Sequence, residues 1–145
     1  KLTNDQLVAT DDNQVFFKYQ SDATNSEAFT TFANWHFVHS IGGTDYISRL
    51  PIAVAADTQY HFKIEVDSDR KATIYVNGIQ YNVTTTAGST GGTAVTAVQP
   101  GTAATKTAAL TDNIDLIPYI GIENGAAAAE VLNVHYQSIS RHVFE

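Results

Sequence analysis

The sequence predicts an all-β fold, an antiparallel β-sandwich with little helix, and three observations carry that expectation. Apolar and polar residues alternate with a period of two along several runs, as strands with one face in a core require. Turn signals such as Asn77-Gly78 recur between those runs at the spacing of antiparallel hairpins. Helical periodicity is missing. The nearest approach, from Asn124 to Leu132, holds Gly125 and a run of alanines and suits a short helical turn at most.

Gln14 to Tyr19 and Ala33 to Ser40, rich in aromatic and β-branched residues, read as the first two strands. Gly42-Gly43 separates the second from a short third, Asp45 to Arg49, which ends at Leu50-Pro51. The clearest alternation follows: Tyr60, Phe62, Ile64 and Val66 fall on one face, and His61, Lys63, Glu65 and Asp67 on the other. Next, Ala72, Ile74 and Val76 alternate with Thr73, Tyr75 and Asn77, and then come Ile79, Tyr81 and Val83. A type I′ turn at Asn77-Gly78 sets Val76 opposite Ile79 and gathers Ile74, Val76, Ile79, Tyr81 and Val83 on one face. The preceding turn is expected to be Ser68-Asp69-Arg70, because that length opposes Val66 to Ala72 in the core and Asp67 to Lys71 as a charge pair. Downstream, Leu116 to Glu123 reads as a strand whose Pro118 suits an edge or a bulge. In the last run Leu132, Val134 and Tyr136 alternate with Asn133, His135 and Gln137, and the phase changes at Ile139. A β-bulge near Gln137 or Ser138 explains the slip.

At 145 residues, 43% hydrophobic and 16% charged, the chain is expected to form a single domain over residues 1–145. It starts at Lys1 and contains no methionine, so it is expected to be a processed product or a portion of something longer. With no cysteine, a disulfide framework, a thiolate metal site and a cysteine nucleophile are excluded. A net charge of -7 repels a phosphate backbone, so nucleic acid is not an expected partner. Nor is a membrane, since no window approaches the roughly 18 consecutive apolar residues of a span.

Residues 84–109 stand apart, being almost entirely Thr, Ala, Gly and Ser, with Lys106 the only charge and Val95 and Val98 the only large aliphatic side chains. Two readings stay open: an arm that orders against a neighbouring subunit, using Gly88, Gly91, Gly92, Val95 and Val98, or a flexible excursion with hairpin character around Thr93 to Val98. The first predicts that deleting Gly88 to Thr105 weakens assembly and leaves the sandwich folded.

Chemistry is sparsely signalled. His36 and His39 are the closest imidazoles, but on a strand they point to opposite faces, and no further ligand lies at a recognisable spacing. His61, His135 and His142 read as structural. Asp11, Asp12, Asp22 and Glu27 form an acidic patch without the alternating oxygen ligands and glycine of a calcium loop. Glu65 and Asp67 have the same-face spacing of a glycosidase acid pair, yet solvent-face charges of an alternating strand look the same. A G-x-S-x-G nucleophile elbow and a phosphate loop are both lacking. No metal or other cofactor is expected. Among the aromatic residues, Trp35 and Tyr75 are the candidate glycan contacts, Tyr75 because it sits on the polar face of its strand while Tyr81 faces the core side.

The segment DTQYHFKIEVDSDRKATIYVNGIQY, Asp57 to Tyr81, together with VLNVHYQSISR, Val131 to Arg141, resembles the paired-strand core of the concanavalin A-like lectin/glucanase family. The run Leu116 to Glu123, the alanine-rich turn and the terminal strand are further similar to structural proteins of tailed-bacteriophage virions, in which such jelly rolls serve as head decoration or fibre modules. The resemblance implies a concanavalin A-like jelly roll located in the virion. Its partners would be a major capsid protein or other virion subunits, with trimers favoured. A lectin-like module binding a host surface glycan is the alternative. It also implies no enzyme, because the E-x-D-x-x-E strand of the laminarinase-like members does not occur.

Overall fold

Alternating apolar residues close here into two facing antiparallel sheets. The computed structural model describes residues 13–20, 33–88, 91–113, 120 and 131–140, and none of these is helical. Its strands are β1 (Asn13–Lys18), β2 (Asn34–Ile41), β3 (Thr44–Ala53), β4 (Phe62–Val66), β5 (Ala72–Val76), β6 (Ile79–Tyr81) and β7 (Thr93–Ala94). The chain has two compact units, Lys1–Asp115 and Leu116–Glu145. All of these strands belong to the first.

One sheet has the order β1-β2-β3-β7 and the other β4-β5-β6. Each is an antiparallel meander, apart from the short β7, which lies parallel to β3 through Ser48↔Thr93 and Arg49↔Ala94. The long crossovers of a jelly roll are not seen among the described strands, where β3 and β7 are the only neighbours out of chain order. The architecture is a two-sheet sandwich.

Register explains the core. Phe17 pairs with Phe37 and Phe37 with Ser48, which puts one row of side chains inward. From this sheet come Phe37 and Leu50; from the other come Ala72, Ile74, Val76 and Tyr81, joined by Val83. The Phe17 ring lies 5.4 Å from Phe37 on its own sheet and 4.7 Å from Phe62 on the facing one, tying the layers together. Removing a fully buried phenylalanine side chain from such a site costs about 3–5 kcal/mol.

Both turns between β4, β5 and β6 form as the sequence predicts. Asn77 (φ 52°) and Gly78 (φ 79°) have the two positive φ angles of a type I′ turn, and Val76 pairs with Ile79. Val66 pairs with Ala72 across the three-residue loop, whose left-handed position is taken by Arg70 at φ 61° in the absence of a glycine. The Asp67 carboxylate braces the loop by accepting the Asp69 and Lys71 amides, each at 2.9 Å. Its ion pair is with Lys106 at 2.8 Å rather than with the expected Lys71.

β3 is longer than predicted and continues through Pro51. The ladder slips between Asn34 and His36, opposite this proline with no N–H, and the Asn34 amide donates to the Leu50 carbonyl instead.

The Thr/Ala/Gly-rich stretch folds back on its own chain. Thr84 N–H donates to buried Ser48 Oγ at 2.9 Å, and Gly88 N–H to the Asp45 carbonyl at 2.9 Å. Val95 N–H reaches the Arg49 carbonyl at 3.1 Å, and Ala97 bridges Tyr81. Thr107 then binds Ala72 twice, its hydroxyl accepting the Ala72 amide at 2.8 Å and its own amide donating to the Ala72 carbonyl at 3.2 Å. Hairpin character near Thr93 is not what forms, since β7 pairs with β3 and Ala97 with β6.

In the second unit, Ile120 and residues 131–140 are exposed and none is in a strand. The alternation predicted as the last strand therefore takes no ladder partner among the described residues, and no bulge forms at Gln137 or Ser138. Apart from Ile120, the predicted strand Leu116 to Glu123 and the alanine-rich turn are outside the described residues.

Candidate assembly surface

The predicted site residues do not converge. Trp35 sits at the aromatic end of the core, with its ring 4.6 Å from Phe62 and 5.5 Å from Tyr60, both edge-on, and 5.7 Å from Tyr19. These contacts leave Trp35 half-buried against the core. Tyr75 points outward on β5, as predicted, but the Lys63 ammonium covers its ring at 5.1 Å from the centroid. Tyr81 faces the core.

Around Tyr75 the outer face of the second sheet is a closed set of charges. Lys63 pairs with Glu65 at 2.5 Å, which holds the Glu65 carboxyl below its ordinary value and raises the Lys63 ammonium. Tyr75 is raised, first by burial and then by its hydrogen bond to Glu65. Asp67 is lowered chiefly by Lys106, which is raised in turn. Glu65 and Asp67 each hold a cation, so their spacing is explained by local pairing. An open depression of about 370 Å³ nearby is lined by Lys71, Thr85, Ala104, Lys106, Thr107 and Ala108, with no carboxylate among them.

The histidines part as strand geometry requires. His36 and His39 are both buried, on opposite faces of β2. Burial pushes each imidazole down to about 4; at His36 the nearby charges of Arg49 and Lys18 act in the same direction. His39 stacks on Tyr46 at 4.7 Å, and neither of its ring nitrogens has a hydrogen-bond partner among the described residues. No cluster of three or more His, Asp or Glu capable of holding a metal occurs among the described residues. Asp11, Asp12, Asp22, Glu27 and His142 are outside them.

Of the proposed arm residues, Val95 packs against the core and Val98 is half-buried, its amide donating to the Gln80 carbonyl at 2.9 Å. Gly92, at φ 69°, lies so close to the outer side of the first sheet that a Cβ there would be 3.1 Å from both Arg49 Cβ and His36 Cδ2. Its glycine serves close approach within the chain. Gly88 is exposed and Gly91 half-buried in a turn.

What the sequence reading did not single out is the apolar exposure of residues 131–140. Val131 (79%), Leu132 (49%), Val134 (51%), Tyr136 (74%) and Ile139 (68%) face solvent, and the ten residues include no Asp, Glu, Lys or Arg. Its signal in the sequence is the period-two pattern of Leu132, Val134 and Tyr136. Large apolar side chains exposed at this density mark interaction sites. Comparison with protein-family models, with curated proteins and with solved structures found no match.

Proposed function

We propose that this chain is a non-enzymatic structural protein that acts by assembling with other subunits, as a decoration or fibre component of a virion. The observation that carries the reading is the uncharged, apolar, solvent-facing segment 131–140 on a chain whose net charge is -7. Such a segment is costly to leave in water and is stabilised by docking. Placement in a phage particle, with a capsid protein or further copies as partners, draws only on the sequence resemblance. Glycan binding, the alternative, rests more on Tyr75, on the outer face of β5, than on Trp35, which packs partly buried against the core.

Light scattering across micromolar concentrations tests assembly. The intact chain is expected above its 15.7 kDa monomer mass, and Val134→Asp, which puts a charge in the apolar row, is expected to return it to monomer with its β-sheet circular dichroism unchanged. An intact chain that stays monomeric throughout contradicts the proposal.

A further inference from the structure

We infer that Val131–Ser140 is a donor strand accepted by a second copy of this chain along the outer edge of β4, which has no strand partner among the described residues. The inference rests on the assembly reading and adds the partner and the register.

Backbone geometry defines the acceptor. Asn77 N–H donates to the His61 carbonyl at 2.8 Å, and Asp67 N–H to the Lys71 carbonyl at 3.1 Å, so the bonded pairs that flank β4 fall on odd-numbered residues. Antiparallel pairs alternate in bonding, so Phe62, Ile64 and Val66 turn their N–H and C=O groups away from β5. Among the described residues no backbone hydrogen bond reaches them from that side, and β4 is the terminal strand of its sheet. Their side chains face the core but are incompletely covered, with Phe62 and Ile64 half-buried and Val66 48% exposed.

Residues 131–140 supply the complement. Leu132, Val134 and Tyr136 repeat at the same interval as the three edge residues. An antiparallel approach continues the meander and, with Val134 opposite Ile64, sets Leu132 against Val66 and Tyr136 against Phe62. The incoming tyrosine then joins the aromatic end formed by Trp35, Tyr60 and Phe62. On the outer face Asn133 falls beside Glu65 and His135 beside Lys63, so neutral groups meet the existing ion pair. Slipping the register by one residue would turn Asn133 and His135 toward the core, which specifies the pairing.

A second copy fits the charge pattern. Chains of net charge -7 repel over most of their surface, and this uncharged segment is where two can meet. Strand addition supplies main-chain bonds for affinity and alternate side chains for specificity.

Because the chain has no cysteine, the pairing can be trapped. Chains carrying only Leu132→Cys are mixed with chains carrying only Val66→Cys, oxidised mildly, and mapped by peptide mass spectrometry. The expected product is a heterodimer bridged between positions 132 and 66, lost when Val134→Asp is added to the donor chain. Oligomers that yield no such bridge, or chiefly a 132–132 bridge, overturn the donor-strand inference and leave assembly standing. A double variant that bridges within one chain also overturns it. Chains that are monomeric and unbridged remove both readings. Val66 is half exposed, so its replacement spares the core, and circular dichroism of each single variant verifies the fold.

Discussion

His39 brings an imidazole into a place that offers it rings and, among the described residues, no hydrogen bond. Its folded-state pKa of about 4 lies below the ordinary 6.5, so between those values the unfolded chain takes up a proton that the folded chain refuses. Stability is therefore complete above about pH 6.5, falls as the pH drops toward 4 and levels off below it; His36 follows the same course. Replacing an unpartnered buried polar group with an apolar one of similar size is nearly neutral or favourable. His39→Leu is thus expected to hold its stability at pH 7 to within about 1 kcal/mol and to abolish about half of the acid loss. Urea unfolding at pH 7 and pH 5 checks this, and an unchanged difference between the two would count against it.

At the scale of elements, the turn between β5 and β6 shows how a local rule fixes a global register. Gly78 sits at φ 79°, where a Cβ meets no neighbour but is disfavoured by its own backbone. Gly78→Ala is expected to cost roughly 1–2 kcal/mol by thermal denaturation, against little change for Gly→Ala at an ordinary φ. This turn, and the Val66 and Ala72 pairing before it, were legible because alternation and turn length leave one register that buries the apolar face. The return path of residues 84–109 was not legible. Much of its hold on the sandwich comes from backbone groups and threonine hydroxyls, as at Thr107 on Ala72, which leave no periodic trace in sequence. With Val95 and Ala97 against the core, deleting Gly88 to Thr105 is now expected to unfold the sandwich instead of merely weakening assembly. Loss of near-ultraviolet circular dichroism in the deletion variant is the check. The terminal alternation predicts a strand that residues 131–140 do not form, because a period-two pattern marks a strand-capable run without naming a partner for it.

Across the whole molecule, the proposed reading gives stability to the sandwich and association to the segment at 131–140. The core joins Phe37 and Leu50 to Ile74 and Val76 within Lys1–Asp115, while the exposed apolar side chains of 131–140 belong to Leu116–Glu145. Damage to the segment is therefore expected to change the oligomeric state with little effect on the unfolding midpoint of a dilute sample. Hydrogen–deuterium exchange of the intact chain, followed at residues 131–140 as concentration rises, tests this most directly. Amides of the segment should exchange within the dead time in dilute solution and become protected, together with those of Phe62, Ile64 and Val66, as oligomers form. Fast exchange in the segment at every concentration, or full protection in the dilute monomer, would contradict the account.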